Sequence, residues 1–165
     1  MSPKQKSISE NADMLEIAQV PTTHYQEERY SDALIEIADL YTTAFWGKRI
    51  RLIYSPYIAS AYNVIYGNGE LYRTYLQDLV KRYGTVWGHI RTEKDIALRL
   101  GKFKRLVKSL SRGYDYNKDK YNEINGKIYG GIVANKNMEL IDGHHRVAIL
   151  YVLGEKVVKL KILTD

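Results

Sequence analysis

Residues 147–153, Val-Ala-Ile-Leu-Tyr-Val-Leu, are apolar at every position, and this run constrains the fold more than any other stretch of the chain. As a helix it has no face to offer water, so it must be buried. The spacing predicts a helix from about His144 to Leu153, stopped by Gly154 and followed by a strand, "KVVKLKIL", over 156–163. Upstream, "KIYGGIVA" (127–134) and "MELI" (138–141) read as two strands joined by an Asn135-Lys136-Asn137 turn. A buried helix between strands implies a layered arrangement of helices on a sheet.

The rest of the chain is read around that unit. "QEERYSDALIEIADLYTTAF" places Tyr30, Leu34, Ile37, Ala38 and Tyr41 at helical spacing, which predicts a helix over 26–45. Over 48–69, Ile50, Leu52 and Tyr54 alternate as in a strand, Pro56 interrupts, and a short helix follows before the Gly67-Asn68-Gly69 turn. "ELYRTYLQDLVKRYG" is a helix with Leu71, Tyr75, Leu79 and Val80 on one side and Gly84 as its stop. "TVWGHI" reads as a strand. Thr92 and Asp95 form a variant capping box that opens a basic helix, with Gly101 as a point of division. The expected class is α+β: a small mixed sheet with packed helices over 84–165, preceded by a mainly helical extension over 21–83 and a polar arm over 1–20.

Composition excludes several functions. The 165 residues include no Cys, which removes disulfides, thiolate nucleophiles, thiol redox centres and Cys-ligated zinc. No run approaches the roughly 18 apolar residues that span a bilayer, and residues 1–19 lack a signal-peptide core, so the expectation is a cytoplasmic protein without a membrane partner. The net charge of +6 is concentrated: residues 91–120 hold ten Lys/Arg and four Asp/Glu, and the remainder is balanced. Such a segment is either a solvated face or a site for an anion. Fifteen Tyr against two Phe suit amphipathic core edges, with base stacking as the second use.

The junction Asp142-Gly143-His144-His145-Arg146 stands just before the buried helix. A helix start offers free backbone N–H groups and the positive end of the macrodipole; Gly143 lets a ligand approach the backbone, and Arg146 adds a planar fork for phosphate oxygens. Two other readings are open. Asp142 caps the helix while Arg146 pairs with an acid and the histidines are satisfied by backbone groups; or the histidines hold a metal, which adjacent helical positions about 100° apart do not favour. On the basic helix, Lys102, Arg105 and Ser109 lie at i, i+3 and i+7 and offer further phosphate contacts.

The order of strand, basic helix, Gly, strand, strand, D-G-H-H-R, buried helix, Gly and strand resembles the ParB-like domain superfamily, which includes sulfiredoxin and the free-serine kinases. The resemblance covers about residues 84–165 and is carried most specifically by "LIDGHHRVAILYVLG". It implies that Gly143, His144, His145, Arg146, Lys102, Arg105 and Ser109 bind the phosphates of a nucleotide (ATP, ADP or CTP). It also implies Mg²⁺ and, in the serine-kinase branch, a small hydroxyl substrate. That branch draws its carboxylate from the segment after the first core strand, here "RTEKD", so Glu93 is the candidate base, with Asp95 its substitute and Asp142 the second catalytic acid. His144 stands where sulfiredoxins carry Cys, which excludes sulfinic acid reduction. Partition proteins continue into a DNA-reading domain whereas this sequence ends at Asp165, so nucleic acid is the second choice of partner after a nucleotide.

Overall fold

The computed structural model describes residues 30–44, 47–116, 122–124, 127–129 and 131–164, with 122–124 and 127–129 described by backbone alone. The polar arm and the first residues of the helix expected over 26–45 lie outside the described residues. The class is α+β. Strands β1 (Tyr30–Glu36), β6 (Val133–Asn135), β7 (Leu140–Asp142) and β8 (Val157–Leu163) form a sheet in the order β1-β8-β6-β7. β8 pairs antiparallel with β1 and parallel with β6, and β6 pairs antiparallel with β7, so the sheet is mixed. Two short ribbons accompany it, β2 (Tyr41–Thr42) with β3 (Ile50–Arg51) and β4 (Asn122–Ile124) with β5 (Lys127–Tyr129). The helices are α1 (Pro56–Tyr66), α2 (Glu70–Tyr83), α3 (Glu93–Leu110) and α4 (His144–Val152).

The apolar run behaves as its composition requires. Val147, Ala148 and Ile149 are fully buried and share one core with Val158 and Leu160 of β8, Ile132 and Ala134 beside β7, and Leu76 of α2. The helix closes in a Schellman turn. Glu155 N–H donates to Leu150 O at 2.9 Å and Gly154 N–H to Tyr151 O at 3.0 Å, with Gly154 at φ +108°. Because β6 and β8 are parallel, the chain must cross over between them, and β7 followed by α4 is that crossover.

Other local signals also dictate their elements. Pro56 occupies the first turn of α1, where its missing N–H costs nothing, and the Ser55 hydroxyl accepts from Tyr57 N–H at 3.2 Å. The Thr92 hydroxyl accepts from Asp95 N–H at 3.1 Å while the Asp95 carboxylate accepts from Thr92 N–H at 3.0 Å, completing the capping box. Arg91 N–H donates to the same carboxylate at 2.9 Å, and it and the Thr92 N–H hold the Asp95 carboxyl below its ordinary range. The Asn135 side chain bridges its turn by accepting from the N–H groups of Asn137 and Glu139 at 2.9 and 3.1 Å.

Four expectations are corrected. Residues 30–42 form β1, a 3₁₀ turn over Ile37–Asp39 and β2 in place of a helix, because the antiparallel ladder with β8 outweighs the local period. Leu34, which helical spacing would bury, is 72% exposed on that strand. "TVWGHI" is no strand: Val86 and Ile90 meet in one bridge around a turn whose tip, Trp87 and Gly88, has positive φ. Gly101 does not divide α3, which is continuous over 18 residues. The run 127–134 is split between β5 and β6, and the described residues Gly131 and Ile132 precede β6 outside any strand. Residues on both sides of 83/84 build one core: β1 is an edge strand of the main sheet, and α1 and α2 contribute Tyr57, Ala61, Tyr72 and Leu76 to the same core as α4.

Candidate functional site

A cleft of about 630 Å³ opens at the start of α4. Its polar walls are Arg99 and Lys102 from α3 together with Asp142, Gly143, His144 and Arg146, and its apolar walls include Tyr57, Trp87, Leu106 and Ile141. Among the cleft's lining residues Asp142 is the only carboxylate, against three permanent cations. The first-turn amides of α4 have no acceptor within the helix, so they and the helix dipole add to the positive character of this corner.

His144 and His145 differ in what they do. His145 is buried, and the rings of Tyr57, Tyr72, Trp87 and Phe103 meet it edge-on at 4.9–5.8 Å between centroids. Arg99 Nη2 donates to its Nδ1 at 3.0 Å. Because a guanidinium only donates, Nδ1 carries the lone pair and the ring proton sits on Nε2, which lies 2.7 Å from the Tyr72 hydroxyl and donates to it. Burial first, and the Arg99 charge second, push the His145 pKa well below the ordinary histidine value. It is therefore a neutral ring that fixes the Arg99 guanidinium in position.

His144 lies against the cleft, stacked on Tyr57 at 4.9 Å with 25° between ring planes. Burial lowers its pKa to about 4, against the opposing pull of Asp142. At neutral pH it offers phosphate a hydrogen bond but no counter-charge.

The box at the helix start is thus brought together only in part as the sequence suggested. Gly143, His144 and Arg146 line the cleft, as does His145 from within the core. Gly143 has a second reason to be glycine. At φ +87° a Cβ would lie 2.8 Å from both Gly131 O and Ile132 Cα, so the close approach is made by the protein's own backbone. Asp142 stands one residue before the N-cap, Gly143, and its Oδ1 accepts from Gly143 N–H at 2.8 Å.

Lys102 reaches the cleft, whereas Arg105 and Ser109 are exposed and do not line it. Ile96, Leu100, Phe103 and Leu110 are the buried face of α3, and this turns Arg99, Lys102 and Leu106 toward the cleft. Ser109 also sits roughly 10 Å along the axis from Lys102. Glu93 is not part of the cleft. Its Oε1 accepts from Arg73 Nη1 at 2.9 Å and its Oε2 from Gln77 Nε2 at 2.6 Å, so both oxygens clasp α3 to α2. Asp95, the substitute, is committed to the capping box.

Sequence reasoning missed Arg99, Tyr57 and Trp87. The apolar spacing of Ile96, Leu100 and Phe103 was the available signal for Arg99, since it sets the rotation of the helix. Nothing local marks Tyr57 or Trp87, which arrive from distant segments.

Among the described residues no group of three His, Asp or Glu side chains could hold a metal, and no helix is long and apolar enough to cross a membrane. Comparison with family models, curated proteins and solved structures finds no match for this chain.

Proposed function

We propose that this protein binds a nucleotide by its phosphates in the cleft at the start of α4, as a ParB-like domain of the D-G-H-H-R kind. The observation that carries the reading is the convergence of Arg99, Lys102 and Arg146 on a corner that also holds the first turn of α4. The volume lies within the 300–1,000 Å³ of ordinary ligand sites.

Turnover is the natural extension: a phosphotransferase or hydrolase that passes the terminal phosphoryl group to a small hydroxyl compound or water. Positioning and charge neutralisation supply most of the catalysis in such reactions. Arg99, Lys102 and Arg146 would hold the phosphate oxygens, and Arg99 is pre-set by His145 and Tyr72. Mg²⁺ fits this donor set, because it takes one or two carboxylates plus phosphate oxygens, and Asp142 is the residue that would hold it. When bound, the ion would neutralise phosphate charge.

A second reading, a nucleotide sensor without turnover, is favoured by one observation. With Glu93 committed to Arg73 and Gln77, Asp142 alone must serve either Mg²⁺ or the attacking hydroxyl.

Calorimetric titration with ATP, ADP, CTP and GTP, with and without Mg²⁺, tests the proposal. Arg146→Ala and Lys102→Ala should each weaken the best-bound nucleotide by about 1.5–3 kcal/mol, the worth of a charge-assisted contact, while Arg105→Ala and Ser109→Ala leave it unchanged. Absence of any nucleotide binding at millimolar concentration, or duplex DNA binding with a steep salt slope in its place, would overturn it. Release or transfer of phosphate in the same samples separates the enzyme from the sensor.

A further inference from the structure

Beside the cleft lies a second cavity of about 360 Å³, lined by Leu79, Tyr83, Thr85, Val86, Trp87 and Ala44. Its character is different. Among the described residues its lining holds no charged side chain, and apart from Gly47 and Thr85 its walls are aliphatic and aromatic. Trp87 and Ala44 line both spaces, so Trp87 is the partition between the cationic cleft and the apolar chamber.

The partition is held at some cost. Trp87 has φ +51°, a conformation that bulky residues avoid, and Val86 and Ile90 close the turn that imposes it. The Arg99 guanidinium lies over the indole at 5.4 Å from the ring centroid, and His145 meets it edge-on at 5.8 Å. The side chain is also 42% exposed, so packing alone does not account for a strained tryptophan here.

We propose that the chamber seats the heterocyclic base of the nucleotide, with Trp87 as its stacking surface, while the cleft holds the phosphates. This rests on the phosphate reading of the cleft. A ligand that is anionic at one end and flat and apolar-faced at the other matches the two spaces in order.

The test compares ATP, CTP and GTP with inorganic tripolyphosphate, which carries the same anionic chain without a base. In the wild-type protein the best nucleotide should bind at least tenfold more tightly than tripolyphosphate. Tyr83→Ala, at a position 59% exposed and therefore safe for folding, should narrow that preference severalfold with tripolyphosphate affinity unchanged. Trp87→Leu should abolish most of it, since loss of one base–aromatic stack costs about tenfold or more. A nucleotide that binds no better than tripolyphosphate, or Tyr83→Ala weakening both equally, overturns the base site and leaves the phosphate site standing. Failure of both nucleotide and tripolyphosphate to bind overturns both.

Discussion

His145 shows how one residue can look like a ligand in sequence and act as a support in the fold. Its two ring nitrogens are used by Tyr72 and Arg99, and four aromatic rings surround it. The same burial makes stability depend on pH. An unfolded histidine takes up its proton near pH 6.5, but folded His145 resists protonation well below that and folded His144 down to about 4. Between those limits the unfolded chain binds more protons, so stability is fully present above pH 6.5 and declines as pH falls through the window. With a slope of about 1.4 kcal/mol per pH unit, His144 should lower stability by about 2 kcal/mol between pH 7.5 and pH 5, and His145 acts in the same direction. Urea unfolding across that range measures it, and His144→Gln should remove the His144 part of the effect. A flat profile would mean that the rings are hydrated and not held neutral.

At the scale of elements, the pairing of α2 with α3 decides what Glu93 does. Its ion pair with Arg73 is largely exposed, and such pairs contribute about 0–1 kcal/mol. Glu93→Gln should therefore shift the urea midpoint slightly and leave nucleotide affinity and any phosphate release unchanged; loss of turnover at intact affinity would return Glu93 to the chemistry. The contrast between α3 and β1 shows which elements were legible. The start of α3 was readable to the residue because Thr92 and Asp95 cap it locally, and Gly84 marked the end of α2 for the same reason. β1 was not, because its partner lies at the far end of the sequence and its own residues satisfy a helical period. The site divides likewise. Gly143, His144 and Arg146 follow from a contiguous motif and Lys102 from its place on the basic helix, whereas Arg99 needed the rotation of α3, and Trp87 is delivered by a turn whose function no local pattern announces.

Across the whole molecule the two halves of the sequence share one core, so residues 84–165 should not fold by themselves. Without residues 30–83 the fragment loses Tyr57, Ala61, Tyr72 and Leu76 from around α4 and the strand that flanks β8. Circular dichroism of that fragment should show little ordered structure, while the full chain unfolds in a single urea transition. A folded 84–165 with native-like spectra would restore the idea of an autonomous core. The positive charge is also divided at this scale: Arg99 and Lys102 face the cleft, whereas Lys94, Lys104, Arg105 and Lys108 are exposed elsewhere along α3 and act as a solvated face. The ladder between β1 and β8 sets Tyr30 opposite Leu163 and Glu36 opposite Val157. During synthesis β1 therefore leaves the ribosome long before the strand it pairs with exists. Its seven residues must wait with an unpaired edge until β8 emerges, so the sheet closes only once residue 163 has been made, and a chain stalled before residue 157 carries an exposed strand open to other partners.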